Sequence, residues 1–273
     1  MFARLRCSWV ALVLASTFAC GDSGGSDDGE DESGNFDEGT GLGEGECSDV
    51  CGMADCGTCP SATMVDGGGF MIDALEVTNE AYAAMLEIEL DASLLPPGCE
   101  WKSGFEPEGW TDDLDGDLPV VGVDWCDAMV YCEWAGKQLC GGVDGGSADY
   151  DVQDDAEGDA WYRACSNGGA STFPYGESLD PAACNGSEAG NDALLAGGSL
   201  ATCEGGVPGL YDMSGNVWEW TNACASASGD GTTECRRRGG SRFSEGDNLR
   251  CAVNSTRARG ERDNAVGFRC CLP

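Results

Sequence analysis

The sequence contains no histidine, and lysine and arginine together account for only 14 of its 273 residues, against 49 aspartates and glutamates. Without histidine, Ser-His and Cys-His nucleophile pairs, histidine general bases and histidine metal triads are excluded. The shortage of positive charge leaves a formal net charge of −35. Because so acidic a surface repels nucleic acid and anionic lipid, we expect neither as a partner, and divalent cations are the natural counter-ions.

Long hydrophobic runs are also lacking, and no segment is long enough to cross a bilayer by itself. Residues 1–20 instead have the form of a bacterial lipoprotein signal, with Arg4 and Arg6 ahead of a short apolar stretch. Cys20 would be acylated after cleavage, although Thr17 stands where such signals usually have leucine. The alternative is ordinary cleavage nearby without a lipid. We expect an exported protein of the cell envelope, held at the outer membrane through its lipid anchor only.

Residues 21–46 consist largely of Gly, Ser, Asp and Glu and contain no lysine or arginine. Such a segment cannot offset its ordering entropy, so we expect a disordered acidic linker. Residues 47–61 form a Cys-rich knuckle that contains Cys47, Cys51, Cys56 and Cys59. These four cysteines could hold zinc or form two local disulfides, and export favours the disulfides. A single domain is expected over residues 62–273.

Local patterns predict few regular elements in this domain. Two short strands are expected around the glycine turn at residues 67–69, and a helix capped by Thr78 or Asn79 follows. A second helix should begin at the N-cap Asp124, which has Asp127 three residues on, and should end at Gly136. A third helix is expected to carry Trp161 and Cys165 on one side, and periodicity is weak from Ser166 onward.

Four segments of this domain stand out when they are read in order. They are EVTNEAY at 76–82, LPVVGVDWCDA at 118–128 continuing to YCEWAGK at 131–137, GLYDMSGNVWEW at 209–220, and RGGS at 238–241 with GFRC at 267–270. Together they resemble the formylglycine-generating enzyme family, also called sulfatase-modifying factors. The resemblance covers residues 62–273 and implies an α+β fold, a variant of the C-type-lectin-like fold with little regular secondary structure, held by disulfides and calcium.

The third segment would bind calcium, which prefers several oxygen ligands in a flexible arrangement. By resemblance, Asp212 and Glu219 would supply side-chain oxygens, and Gly215 and Val217 would supply main-chain carbonyls. The alternative is a tight turn whose Asn216 is simply part of the core. A second calcium site of the family would include Asn185, Gly186 and Asp192.

The resemblance also implies disulfide pairs. Cys132 should bond to Cys270 and Cys165 to Cys251, and each bond would close a loop of about 85 residues or more, worth about 4 to 5 kcal/mol on the chain-entropy model. Proximity in the sequence suggests two further pairs, Cys184 with Cys203 and Cys224 with Cys235. The partners of eight cysteines stay open: Cys47, Cys51, Cys56, Cys59, Cys99, Cys126, Cys140 and Cys271.

The catalytic site of the family is where this sequence departs from it. Active members hold copper with two cysteines spaced C-x4-C shortly after the Gly-Gly-Ser motif, and the thiolates suit a soft Cu(I) ion. Here Ser244 aligns near the first of these cysteines, and Cys251, the only thiol in the loop, aligns with a structural half-cystine. We therefore expect no copper and a non-catalytic domain.

Two main functions remain open from the sequence, and a third possibility is that the protein assists a partner oxidase or sulfatase. One is a calcium-stabilised binding or structural module that recognises an unknown peptide, protein or glycan at the cell surface. The other is a divergent sulfatase-modifying oxidase, converting cysteine to formylglycine with rearranged metal ligands such as Cys126 or Cys271. Nine of the 14 basic residues fall at or after Arg236, so this end could form a basic patch for an acidic ligand, or its arginines could simply pair with carboxylates.

Overall fold

The computed structural model describes residues 45–273, so the predicted signal, its Cys20 and most of the predicted linker lie outside the described residues. Two strands, β1 (Met64–Asp66) and β2 (Met71–Asp73), pair antiparallel around the glycine turn, as predicted. They belong to a sheet of order β1-β2-β8-β3, which β3 (Gln138–Leu139) and β8 (Cys270–Leu272) complete. The last strand of the chain is thus inserted beside one of the first.

A second sheet has the order β6 (Ser255–Ala258), β5 (Glu234–Arg238), β4 (Trp218–Cys224) and β7 (Val266–Phe268). Its longest strand is β4, which pairs antiparallel with β5 and parallel with β7. Strand β6 lies on the other side of β5. Because β7 and β8 are separated only by Arg269, this residue lies where the chain passes from one sheet to the other.

Two of the three helices within residues 45–273 begin where the sequence predicted their caps, and the sequence analysis predicted no cap for the third. Helix α1 (Asn79–Leu86) is capped by Thr78, whose hydroxyl accepts from the Ala81 amide at 3.2 Å. Helix α2 (Trp125–Trp134) begins with a reciprocal capping box between Asp124 and Asp127, and Gly136 follows its end with a φ of 71°. Helix α3 (Ala160–Cys165) is capped by Asp159.

Two hydrophobic clusters lie around these helices. In the first, Tyr82 of α1 stacks on Tyr131 of α2, and Phe268 of β7 meets both rings edge-on. The second surrounds Trp161 of α3, which is completely buried. Within residues 45–273, no helix is both long enough and apolar enough to cross a bilayer.

The knuckle packs onto the first cluster. The Cys51 amide donates to the Trp134 carbonyl at 2.7 Å, and the indole of Trp134 donates to the Cys56 carbonyl at 2.8 Å. Its cysteines form the disulfides Cys47–Cys56 and Cys51–Cys59, so the structure has local bridges where the sequence also allowed zinc.

Candidate functional site

The loop that leads into β4 is shaped by three residues with left-handed backbone conformation. Asp212 has a φ of 60°, Gly215 of 77° and Asn216 of 57°. A Cβ atom on Gly215 would lie 2.5 Å from the main-chain oxygen of Asn185, so only glycine fits this approach. The loop therefore folds tightly against the segment that begins at Asn185.

Asn216 is the centre of this contact. Its Nδ2 donates to Glu76 Oε1 at 3.0 Å and to the Leu195 carbonyl at 3.1 Å. Its Oδ1 accepts from Asn185 Nδ2 at 3.0 Å, and its main-chain amide donates to the Asn185 carbonyl at 2.8 Å. The two segments that the resemblance assigns to separate calcium sites are thus hydrogen-bonded to each other.

The Glu219 side chain is held by a positively charged partner. Arg269 donates from Nη2 to Glu219 Oε1 at 2.7 Å and from Nε to Oε2 at 2.8 Å, and Trp161 Nε1 also donates to Oε2 at 2.7 Å. Arg269 and Glu219 are both almost completely buried. Burial alone would lower the pKa of Arg269, but the charge and hydrogen bonds of Glu219 raise it above its ordinary value.

Glu76 is a buried carboxylate that the sequence analysis did not assign to the site. Only 3% of the residue is exposed, and its Oε2 has no hydrogen-bond partner among the described residues. Burial raises the pKa of Glu76 well above its ordinary value, and the charge of Asp212 raises it further. Its place in the first of the four motifs was a signal, but nothing in the sequence shows that its carboxylate reaches Asn216.

Asp212, the other predicted acidic ligand, lies in the same cluster. Its Oδ2 accepts from the Gly198 amide at 2.6 Å, and only 4% of the residue is exposed. Burial is the main reason that the pKa of Asp212 is raised, and the charge of Glu219 acts in the same direction. Asp212, Glu219 and Glu76 therefore share one buried region with Arg269.

The three residues of the predicted second calcium site have different surroundings. Asn185 is buried, and its Oδ1 accepts from Asn191 Nδ2 at 3.1 Å, while Gly186 caps a short turn of 3-10 helix. Asp192, the remaining predicted ligand, is exposed and has a φ of 53°. In the described part of the chain, no three Asp, Glu, Cys or His side chains converge to form a metal centre by themselves.

The loop that corresponds to the copper site offers a hydroxyl and a disulfide. Ser244 is buried, and its Oγ accepts from the Ser241 amide at 3.0 Å. Cys251 is bonded to Cys165, so it has no thiolate to offer. Phe243, between Arg242 and Ser244, is 61% exposed, and the Arg242 guanidinium lies 4.3 Å from the centre of its ring.

All sixteen cysteines of residues 45–273 are in disulfides. The four pairs named in the sequence analysis occur in the structure, and Cys126 and Cys271, the thiols considered for a rearranged metal site, are bonded to Cys99 and Cys140. The bridges outside the knuckle are Cys99–Cys126, Cys132–Cys270, Cys140–Cys271, Cys165–Cys251, Cys184–Cys203 and Cys224–Cys235.

The arginines of the C-terminal part are dispersed among several kinds of partner. Arg269 pairs with Glu219, and the exposed Arg250 and Arg257 lie near Asp247 and Glu261. Arg236 is buried and donates instead to Asn254 Oδ1 and the Tyr150 carbonyl, and Arg237 lies over the Trp218 ring at 4.5 Å. Some of these arginines therefore pair with carboxylates. The buried Arg236 and Arg237 contact uncharged groups instead.

A groove of about 810 Å³ lies between α1 and residues 104–116. Apolar side chains, among them Ile88, Phe105 and Trp110, lie beside the carboxylates Glu80 and Glu87 in its wall.

Residues 45–273 form a disulfide-rich α+β domain of the C-type-lectin-like type. It has two sheets of short strands, three short helices and many disulfides. The family model for the sulfatase-modifying factor enzyme 1-like domain matches residues 32–272, and the chain belongs to this family. The family and fold class implied by the four motifs are thereby confirmed.

Two relatives and one solved structure show how the chain compares. It is 28% identical over 248 residues to the formylglycine-generating enzyme of Streptomyces coelicolor, across 77% of this chain and 73% of that enzyme. It is 28% identical over 187 residues to mouse inactive C-alpha-formylglycine-generating enzyme 2, across 64% of this chain and 55% of the mouse protein. The crystal structure of CarF matches with a TM-score of 0.50 over 75% of this chain and 86% of CarF, at 23% identity, which is a likeness of fold alone.

Proposed function

We propose that this protein is a non-catalytic member of the formylglycine-generating enzyme family that acts as a calcium-stabilised binding or structural module at the cell surface. The observation that carries the proposal is the Cys165–Cys251 disulfide, together with the hydroxyl of Ser244 in the same loop. Copper in the +1 state binds soft thiolates, and neither a disulfide nor a serine hydroxyl can replace them.

The rest of the chain offers no substitute among the described residues. Every cysteine of residues 45–273 is bonded to another cysteine, and the full sequence has no histidine to bind copper or iron. One relative is itself named an inactive formylglycine-generating enzyme, which is consistent with this family containing non-catalytic members.

Calcium is proposed on electrostatic grounds. Glu76, Asp212 and Glu219 are three buried carboxylates that share one guanidinium, that of Arg269. Buried charges are costly unless they are paired, and oxygen-rich sites with surplus negative charge suit a hard divalent cation. Calcium would supply the missing positive charge and hold together the loops that contain Asn185 and Asp212.

The proposed location at the outer membrane rests on the predicted lipoprotein signal and on the negative charge of the linker. A lipid on Cys20 would hold the protein at the outer membrane, and the acidic linker would extend the domain away from it. The partner would be a peptide, protein or glycan of the envelope, for which the groove beside α1 is a candidate surface.

The deciding experiment is an activity assay with a defined substrate. A Cys-x-Pro-x-Arg peptide is incubated with the copper-loaded full chain under oxygen and examined by mass spectrometry, with the Streptomyces coelicolor enzyme as the positive control. We expect the peptide mass to stay unchanged. Catalytic conversion of its cysteine to formylglycine would support the divergent oxidase instead.

A further inference from the structure

We propose that the groove between α1 and residues 104–116 is a docking surface, and that its occupant is a positively charged peptide segment of a partner protein that also carries apolar side chains. This inference rests on the proposed function, because it names the kind of partner that the non-catalytic module binds. The groove is formed by residues between 79 and 116, so it is separate from the loop after Ser241 that corresponds to the copper site.

Apolar side chains in the groove remain in contact with water. Leu86 and Ile88 pack on the first hydrophobic cluster but are only partly buried, and the same holds for Phe105 and Trp110. Leu114 is 41% exposed. Apolar side chains that are gathered in a concave surface and rimmed by polar residues are typical of a site that binds another protein.

The two walls of the groove are fastened to each other. The Tyr82 hydroxyl of α1 donates to the Phe105 carbonyl at 2.7 Å, and Asn79 Nδ2 donates to the Asp115 carbonyl at 2.9 Å. Asn79 and Tyr82 are buried, so these hydrogen bonds are shielded from water. A groove that is already formed needs little ordering when a partner docks, which favours binding.

All charged side chains in the wall of the groove are carboxylates. They belong to Glu80, Glu87, Glu106 and Asp112, and all four residues are exposed. Within residues 45–273, none of the four forms an ion pair with a lysine or an arginine. The groove therefore presents apolar surface together with four negative charges that the domain leaves unpaired.

These charges specify a cationic occupant. Opposite charges across an interface steer a partner to its site and reject partners of like charge, whereas burial of apolar surface supplies most of the driving force for association. Lysine and arginine side chains suit both tasks, because a long apolar stem carries the charged group. A segment that combines these residues with apolar neighbours therefore fits both properties of the groove.

Charge disfavours the occupants that this chain could itself supply. Residues 21–46 contain no lysine or arginine, so the linker would meet the carboxylates of the groove with like charge. A second copy of the chain has a formal net charge of −35, so two copies repel each other. A neutral glycan would cover the apolar side chains but would leave the four carboxylates without cations. A cationic segment of another protein satisfies both requirements.

The test measures the binding of three short fluorescein-labelled peptides to the full chain by fluorescence polarisation. The first peptide alternates lysine and leucine, the second replaces every leucine with serine, and the third replaces every lysine with glutamate. Binding is measured in about 0.15 M salt, where long-range attraction between exposed charges is largely screened.

Two double variants separate the groove from the net charge of the chain. The groove variant is Glu87→Lys with Asp112→Lys. The control variant is Glu188→Lys with Glu245→Lys, which changes two exposed glutamates outside the groove and alters the net charge equally. A single variant, Leu114→Ser, changes the apolar surface without changing any charge. All five substituted residues are exposed, so each variant should keep the wild-type melting temperature.

We expect wild type and the control variant to bind the lysine-leucine peptide equally. The groove variant should bind it at least about tenfold more weakly, because two attractive contacts become repulsive. Leu114→Ser should weaken the binding at least about threefold, because it removes apolar surface from the contact. Wild type should bind the serine and glutamate peptides at least about tenfold more weakly than the lysine-leucine peptide.

The docking assignment is wrong if the groove and control variants bind the lysine-leucine peptide equally, because the affinity then comes from the net charge of the whole chain. It is also wrong if Leu114→Ser or the serine peptide leaves the affinity unchanged, since the apolar surface then contributes nothing. Failure of wild type to bind the lysine-leucine peptide, or a preference for the glutamate peptide, would refute the cationic occupant.

These results leave the proposed loss of catalysis untouched, because the formylglycine assay decides it separately. Conversion of the Cys-x-Pro-x-Arg peptide would refute the proposed function, whether or not the lysine-leucine peptide binds in the groove.

Discussion

Arg269 and Glu219 form a two-point ion pair in the interior, with Nη2 2.7 Å from Oε1 and Nε 2.8 Å from Oε2. Glu219 belongs to the second sheet, whereas Arg269 lies directly before β8 of the first sheet and also donates to the Asp73 carbonyl at 2.9 Å. This one side chain therefore fastens the two sheets to each other and fixes the position of the Glu219 carboxylate.

Arg269→Leu should destabilise the domain strongly, by about 3–5 kcal/mol, because it leaves the Glu219 carboxylate buried without its partner. The measurement is equilibrium unfolding in urea under oxidising conditions. Arg250→Leu is the control, since Arg250 lies 3.6 Å from Asp247 with both side chains exposed, and it should change stability by about 1 kcal/mol or less. Similar losses from the two variants would contradict a structural role for the buried pair.

The disulfides should contribute unequally, according to the loop that each one closes. Cys132 and Cys270 are 138 residues apart, whereas Cys224 and Cys235 are 11 apart. On the chain-entropy model, removing the first pair as a double alanine variant costs about 5 kcal/mol and removing the second about 3 kcal/mol. Urea unfolding of both variants tests the order, and a greater loss from the short-loop variant would refute it.

Asp127 should make the stability depend on pH. It lies 2.5 Å from Lys102 Nζ and 2.7 Å from Arg262 Nη2, but burial and the charge of Asp124 outweigh these cations and raise the pKa of Asp127 to about 7. Because the folded state then binds the proton more tightly than the unfolded state, the free energy of unfolding falls as the pH rises from about 4 to about 7, by at most about 1.4 kcal/mol per unit.

Asp127→Asn should flatten this part of the profile, measured by urea unfolding across the same pH range. The exposed Asp113→Asn is the control and should keep the wild-type slope. A residual slope in Asp127→Asn is expected from Asp73, Glu76 and Asp212, whose pKa values burial also raises. If the Asp127→Asn profile runs parallel to that of wild type, Asp127 is not the responsible group.

Thiol counting should find no reactive cysteine in residues 45–273. Peptide mapping of the unreduced, alkylated chain should recover Cys165–Cys251, Cys99–Cys126 and Cys140–Cys271 as linked peptides. The physical reason is that a cysteine in a disulfide cannot form a thiolate, and hence cannot react or bind copper. Recovery of Cys126 or Cys271 as an alkylated thiol would restore the rearranged oxidase as a serious alternative.

Local structure was the most predictable part of the fold. Thr78 and Asp124 cap α1 and α2 through hydrogen bonds to amides three residues away, so the sequence contains everything that these helix starts require. The order of the strands was not predictable, because β8 lies between β2 and β3 only after the whole intervening chain has folded.

Some features of the candidate site were also predictable from the sequence, and others were not. The sequence by itself determined the family, the absence of histidine and the loss of the cysteine pair after Ser241, because these are properties of residue type and order. Only the tertiary structure decided that Arg269 pairs with Glu219, and that Glu76 Oε2 is buried without a hydrogen-bond partner within residues 45–273. Burial and charge pairing depend on which distant residues become neighbours, and no local pattern in the chain encodes that.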